Sequence, residues 1–406
     1  MKRRKFFKVA SLLTGGMLIP VGLNSWVAQS QARSQSHKRL VVVFLRGGID
    51  GLNVVVPHQE TNYYQARPSI AVSYPQEPGG ALDLDGFFGL HPKLKDLMPF
   101  WKQKNLAFIH ACGSPNETRS HFDAQDYMET GTPGIKTTED GWMNRLLATL
   151  TQDRPTQALN VGNTTPRILK GSMAIASISP GKDSARILPV DRPNVSRVFD
   201  LLYNQDDILS KAYQQGRRAR EIVLAELNAE MISSSRGAPP ADLFVDDAIE
   251  VAKLMVGNAR TQLAFMEVGG WDTHINQNDS LNKSLKSLGK GLATLVEKLK
   301  PIYSNTAIMV ISEFGRTVKE NGNGGTDHGH GNVFWLLGGG VRGGKIHGNW
   351  LGLNEFDLYQ KRDLPVTTDF REAIATILTQ HMQVTDSNLG KIFPDYQLAA
   401  NLNLLK

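Results

Sequence analysis

The stretch from Asn305 to Asn332, NTAIMVISEFGRTVKENGNGGTDHGHGN, constrains the fold more than any other part of the chain. It opens on a short apolar run, Ala307 to Ile311, rich in β-branched residues and methionine, which reads as a buried strand. The run stops abruptly at Ser312-Glu313-Phe314-Gly315-Arg316. A Gly/Asn-rich loop follows and closes on Asp327-His328-Gly329-His330. A carboxylate at the C-terminal end of a strand, followed by a loop with another carboxylate and two imidazoles, is how open α/β sheets build sites.

Other segments repeat this arrangement. Arg39 to Leu45 (RLVVVFL) is continuously apolar, the pattern of a central strand covered on both faces, and feeds the Gly-rich turn that carries Asp50. Asn105 to Ala111 (NLAFIHA) reads as the next strand; after a turn at Ser114-Pro115-Asn116, a helix is expected over Ser120–Glu129, ending at Gly131. Gln262 to Val268 (QLAFMEV) is a third strand and empties into Gly269-Gly270-Trp271-Asp272-Thr273-His274. Leu281, Leu285, Leu288, Leu292, Leu295 and Leu299 alternate four and three residues apart, one apolar stripe on a long crossover helix. Helical spacing also runs through Pro92–Lys104, with Pro92 in the first turn. Val333–Leu337 reads as a strand leading to a Gly-rich hairpin at 338–344, and a last helix is expected over Asp369–His381.

Strand alternating with helix predicts an α/β fold, a largely parallel sheet with helices on both faces. Residues 58–90, rich in Pro, Gly and Tyr, read as an irregular surface excursion. Residues 151–258 begin with short β-like pieces and turn charged, Ala-rich and helical from Val195. They read as a partly helical insertion, either a cap over the site or helices covering one sheet face. The core would then comprise 33–150 and 259–406.

At 406 residues the chain is long enough to bury a full core. Its net charge of +6 suggests nucleic-acid binding until the charges are located. Lys2, Arg3, Arg4, Lys5 and Lys8 supply five of the six in a segment, 1–32, that has no acidic residue, so the remainder carries only +1. The mature chain is therefore not expected to bind nucleic acid. MKRRKFFK followed by the short apolar Val9–Leu23 and Ser30-Gln31-Ala32 reads as a signal peptide cleaved after Ala32. The apolar run is shorter than the ~20 residues of a spanning helix, so no membrane span is expected after cleavage. Arg3-Arg4-Lys5-Phe6-Phe7-Lys8 resembles the twin-arginine export signal, with Phe7 in place of Leu. That implies engagement with the bacterial twin-arginine machinery, export of a folded and metal-loaded protein, and a periplasmic or secreted destination. The sole cysteine, Cys112, makes no internal disulfide and reads as a small buried residue at a strand end.

Asp50, Asp272, His274, Glu313, Asp327, His328 and His330 all fall just after a predicted strand or in the next loop. Seven metal-ligating side chains from distant segments are thereby delivered to one edge of one sheet. The set suits one or two divalent ions, zinc or manganese at the imidazoles and calcium or magnesium where carboxylates dominate. Two ions ~3.5–4 Å apart would clamp an in-line displacement. Singly, each motif also has an ordinary use, Asp50 as a turn former and Ser120 as a helix cap.

These motifs, in this order, resemble the alkaline phosphatase superfamily of phosphatases, sulfatases and cofactor-independent phosphoglycerate mutases. VISEFG is similar to that superfamily's strand ending in Ser-Asp-His-Gly. More closely, RGGIDGLN, SHFDAQDYMETG, GGWDTH, SEFGRT, DHGHGN and TTDFREAIATIL, spread over roughly 39–380, resemble the exported family DUF1501. The resemblance implies an alkaline phosphatase-like fold, with Asp50 and Glu313 on one metal and Asp272, His274 and a histidine from 328/330 on another. Glu313-Phe314 departs from the Asp-His of the superfamily, so either a single metal binds or His121 replaces the lost ligand. Counting ten residues back from Gly131 places the nucleophile position at His121, next to Ser120; both are candidates, and Arg46, Arg119 and Arg316 border these loops as possible partners for an anion. The function implied is a metal-dependent hydrolase of an anionic small-molecule or glycan ester, phosphate or sulfate. The alternative is a catalytically degenerate secreted protein of the same fold that binds metal or glycan.

Overall fold

The computed structural model describes residues 37–406 apart from 151–156, 163–164, 179–192, 205–206, 212, 214–242, 259 and 399–401, so the leader lies outside the described residues. Arg39–Leu45 forms β1, buried at every position. Its neighbours are β5 (Leu263–Val268) and β6 (Thr306–Ser312), both parallel to it. Outward from β5 lie β3 (Ala158–Val161) and then β4 (Ala176–Ile178), also parallel. Outward from β6 comes β7 (Asn332–Gly338), the one antiparallel strand of this sheet among the described residues, and beyond it β2 (Leu106–Gly113). Short β8 (Lys345–His347) and β9 (Thr368–Asp369) run parallel to β2 and complete a nine-stranded sheet. The largely parallel α/β architecture is as expected from sequence.

Alternation along β1 explains the layers, because successive side chains point to opposite faces. Val41, Val43 and Leu45 pack with the Leu stripe on a helix spanning Gln277–Lys298 and with the helix Leu243–Gly257. Leu40, Val42 and Phe44 pack the other way, against Trp142–Thr149 and Phe370–Gln380. The six stripe leucines are at most 1% exposed, and burying each contributes roughly 1.5–3 kcal/mol.

The structure differs from expectation in three places. Residues 58–90 are not a surface excursion: Tyr63, Ile70 and Val72 are buried, and Arg67 is completely so. Composition signalled a loop, but burial follows from Arg67 reaching the buried Asp50. Where they are described, residues 151–258 contribute β3 and β4 to the main sheet, and Leu243–Gly257 covers one of its faces. Much of that stretch, 214–242 included, lies outside the described residues. Pro92–Lys104 divides into a 3-10 turn, Pro92–Leu97, and an α-turn, Met98–Lys102, the second with Pro99 in its first turn. Finally, 338–344 forms no hairpin with β7. Gly343 and Gly344 donate to the carbonyls of Lys104 and Leu106, which carries the chain across to β2.

Candidate metal centre

Because β1, β2, β5 and β6 are mutually parallel, their C-terminal ends lie along one edge, and the loops that leave them build the site. After β2 the chain turns into the helix His121–Thr130. Ser120 caps it by accepting the Asp123 N–H, and Gly131 ends it in the left-handed conformation at φ 69°, where a Cβ would collide with Phe393. After β5, the buried Trp271 donates its indole N–H to the Val268 carbonyl and anchors Asp272-Thr273-His274. After β6, Glu313 is buried, and the long loop folds back so that Arg316 bridges to His328. That fold-back needs glycine at 315: a Cβ there would lie 1.9 Å from the Gly331 carbonyl oxygen.

Three imidazoles and one carboxylate meet at the centre of this edge. His121 Nε2 is 2.9 Å from His328 Nε2, which is 3.0 Å from His274 Nε2. Asp272 Oδ1 lies 3.0 Å from His274 Nε2 and 3.2 Å from His328 Nε2; Oδ2 lies 3.6 Å from His121 Nε2. Each ring is held through its other nitrogen. His121 Nδ1 is 2.8 Å from Glu313 Oε1, His274 Nδ1 is 2.9 Å from Asp327 Oδ1, and His328 Nδ1 is 2.9 Å from the Arg119 carbonyl. All three partners are acceptors, so Nδ1 carries the hydrogen and Nε2 presents a lone pair. Three lone pairs and a carboxylate facing one point repel unless a cation stands between them. Among the described residues, His121, Asp272 and His328 form the group whose ligand atoms all lie within 4.8 Å of one another, and His274 adjoins it. Imidazoles oriented by carboxylates or carbonyls are the usual outer shell of a zinc or other first-row site, and the donor set fits such an ion.

Electrostatics support this arrangement. The hydrogen bond to Glu313, with the charges of Glu313 and Asp272, raises the His121 pKa, whereas burial lowers that of His328. Burial pushes the Asp272 carboxyl up, but the hydrogen bond and charge of Arg316 outweigh it and hold it low. Asp327 is lowered chiefly by His274. Glu313 is held low despite burial by hydrogen bonds from His121, Gln125 and the Gly47 N–H.

Other expected site residues are engaged elsewhere. The Asp50 carboxylate forms a bidentate pair with Arg67, 2.6 and 3.0 Å, and so stands apart from the imidazoles. His330 directs Nε2 at the Ser114 carbonyl, 3.0 Å, with its ring against Tyr359. Glu313 faces the His121 ring from behind, at Nδ1. The Arg316 side chain is fully buried, with Nη1 2.7 Å from Asp272 Oδ1 and further bonds to Thr326. Arg46 pairs with Glu129 and Glu267, and Arg119 with Asp363. Phe314 packs its ring against those of His121 and His328, at centroid distances of 4.8 and 5.0 Å. Sequence reasoning missed Gln125 and Arg67. Gln125 had a signal, one helical turn after His121 and hence on the same face; Arg67, in an irregular segment, had none.

The family model described as a protein of unknown function, DUF1501, matches residues 37–393. The chain belongs to the DUF1501 family. No curated protein matches it. Solved structures similar to this DUF1501 chain include the lipoteichoic acid synthase LtaP from Listeria monocytogenes, 9% identical, with TM-score 0.40, 92% of this chain covered and 77% of that one. Another is the C-terminal periplasmic domain of EptC from Escherichia coli in complex with zinc, 11% identical, TM-score 0.35, with coverage of 79% and 77%. A third is a protein in the alkaline phosphatase superfamily from Vibrio parahaemolyticus, 13% identical, TM-score 0.34, with coverage of 86% and 71%. At such scores the likenesses carry no assignment, and the DUF1501 chain's own side chains must supply it. Among its described residues no helix is long and apolar enough to cross a membrane.

Proposed function

We propose that the chain is an exported, metal-dependent hydrolase of phosphate or sulfate esters, with a divalent ion held by His121, His274, His328 and Asp272. The observation that carries the reading is the convergence of three Nε2 lone pairs and a carboxylate whose supporting hydrogen bonds are already in place. Bound there, zinc or manganese would act as a Lewis acid on an ester oxygen and make water more acidic. The chain's own groups set the geometry. Glu313, Asp327 and the Arg119 carbonyl fix the imidazole tautomers, and Arg316 holds Asp272 Oδ1, so that Oδ2 faces His121. Asp272 and His274 are 44% and 40% exposed at their side chains, which leaves the cluster open to a small anionic or glycan ester. The ester class follows from the motif resemblance, and export from the leader. Zinc- or manganese-loaded protein assayed against phosphate monoesters, diesters and sulfate esters should turn over at least one class and lose the activity in His328→Ala. No turnover by any metal-loaded form would refute the hydrolase.

One set of observations favours a second reading, a metal- or glycan-binding protein without catalysis. Ser120 caps its own helix, Phe314 packs on His121 where the motif resemblance implies a histidine, and Arg316 is buried against Asp272 instead of facing solvent. That reading predicts metal binding with no ester turnover, and gain of turnover on Phe314→His.

A further inference from the structure

The motif resemblance implies a second ion between Asp50 and Glu313, and the residues there do not fit one. Arg67 has five N–H donors, and the fold supplies five acceptors. Nε donates to the Val318 carbonyl at 2.8 Å; Nη1 donates to Asp50 Oδ2 at 2.6 Å and Asn53 Oδ1 at 2.7 Å. Nη2 donates to Asp50 Oδ1 at 3.0 Å and the Thr317 carbonyl at 2.9 Å. Arg67 is 0% exposed and Asp50 1%. Gln277 adds a further donor to Asp50 Oδ2. Glu313 is committed through Oε1, which accepts from His121, Gln125 and Gly47, while Oε2 shares the Ser312 hydroxyl with the Leu45 carbonyl.

We infer that this centre takes one divalent ion, and that Arg67 is the fixed internal cation standing in the place of a second. The inference rests on the metal centre proposed above and concerns its stoichiometry and charge. Guanidinium is always ionised and presents a rigid fork that matches a carboxylate. A divalent ion at Asp50 would have to break the bidentate pair and strand a buried guanidinium, and losing one partner of a buried pair is strongly destabilising. The Asp50–Arg67 pair is also wired to the centre. Gln277 Oε1 accepts from Thr326 Oγ1 at 2.6 Å, Thr326 Oγ1 accepts from Arg316 Nε at 3.2 Å, and Arg316 holds Asp272. Arg67 thus neutralises the buried Asp50, and all five of its hydrogen bonds go to groups other than the imidazoles and Asp272.

Zinc titration of the chelator-stripped full chain, read as equivalents bound and as Kd, tests this. Wild-type protein should take one equivalent, and Asp50→Asn should keep it with a Kd within about threefold. Because Asp50→Asn strands Arg67 and risks misfolding, Asp50→Asn/Arg67→Met is the companion variant, and it too should retain one equivalent. Two equivalents in the wild type, with one lost in either variant, would overturn the inference. His328→Ala separates this from the parent reading. If it retained wild-type zinc binding, the centre itself would be misassigned, whatever Asp50→Asn showed.

Discussion

Replacing Glu313 by glutamine tests whether the carboxylate behind His121 tunes metal affinity. The amide is nearly isosteric, so its oxygen can still accept from His121 Nδ1, Gln125 and the Gly47 N–H; what disappears is the charge. In wild-type protein the hydrogen bond to the Glu313 carboxylate, and then its charge, hold the His121 pKa above its ordinary value. Partners of this kind typically change metal affinity by about 10- to 100-fold, equivalent to roughly 1.4–2.7 kcal/mol. Glu313→Gln should therefore bind zinc about 10- to 100-fold more weakly than wild type in competition with a chromogenic chelator. The apo-protein should lose only about 1–2 kcal/mol, because the exchange weakens hydrogen bonds without deleting them. A folded Glu313→Gln variant whose zinc Kd stayed within twofold of wild type would refute the assignment of Glu313 to the ion's outer shell.

Three further outcomes concern the frame that holds the site. Leu288→Ala removes a fully buried member of the stripe and should destabilise the chain by about 2–5 kcal/mol in urea unfolding; a loss under 1 kcal/mol would mean the stripe is not packed as described. Gly315→Ala places a Cβ against the Gly331 carbonyl, so the loop carrying His328 must shift and zinc affinity must fall; unchanged affinity would refute that coupling. Burial lowers His91, His110 and His381 from 6.5 to about 4. The unfolded chain takes up these protons first, so stability that is complete above pH 6.5 is lost as pH falls toward 4, by at most about 3 kcal/mol per histidine. Urea midpoints equal at pH 7 and pH 5 would contradict it.

The fold was legible because its strands are apolar runs closed by glycine and its long crossover helix carries a clean Leu stripe. Both are local patterns set by the period of strand and helix. The site was legible as residue types at strand ends, and Asp272, His274 and His328 lie in contact. Asp50 was chosen on the same grounds and lies paired with Arg67 instead. The difference turns on an ion pair between a strand-end turn and a segment with loop composition, which no local period reports. The sequence left His121 open between nucleophile and ligand; in the fold its Nε2 lies 2.9 Å from that of His328, the contact on which the proposed ligand role rests. The β3 and β4 strands were visible as β-like pieces, but their membership of the main sheet depends on long-range pairing with β5.

The central claim is that His121, His274, His328 and Asp272 share one ion. X-ray absorption spectroscopy of the zinc-loaded chain measures this most directly. It should give three imidazole nitrogens and a carboxylate oxygen at about 2.0–2.2 Å, falling to two imidazoles in His121→Ala. A first shell without imidazole, or one unchanged in both His121→Ala and His328→Ala, would contradict it.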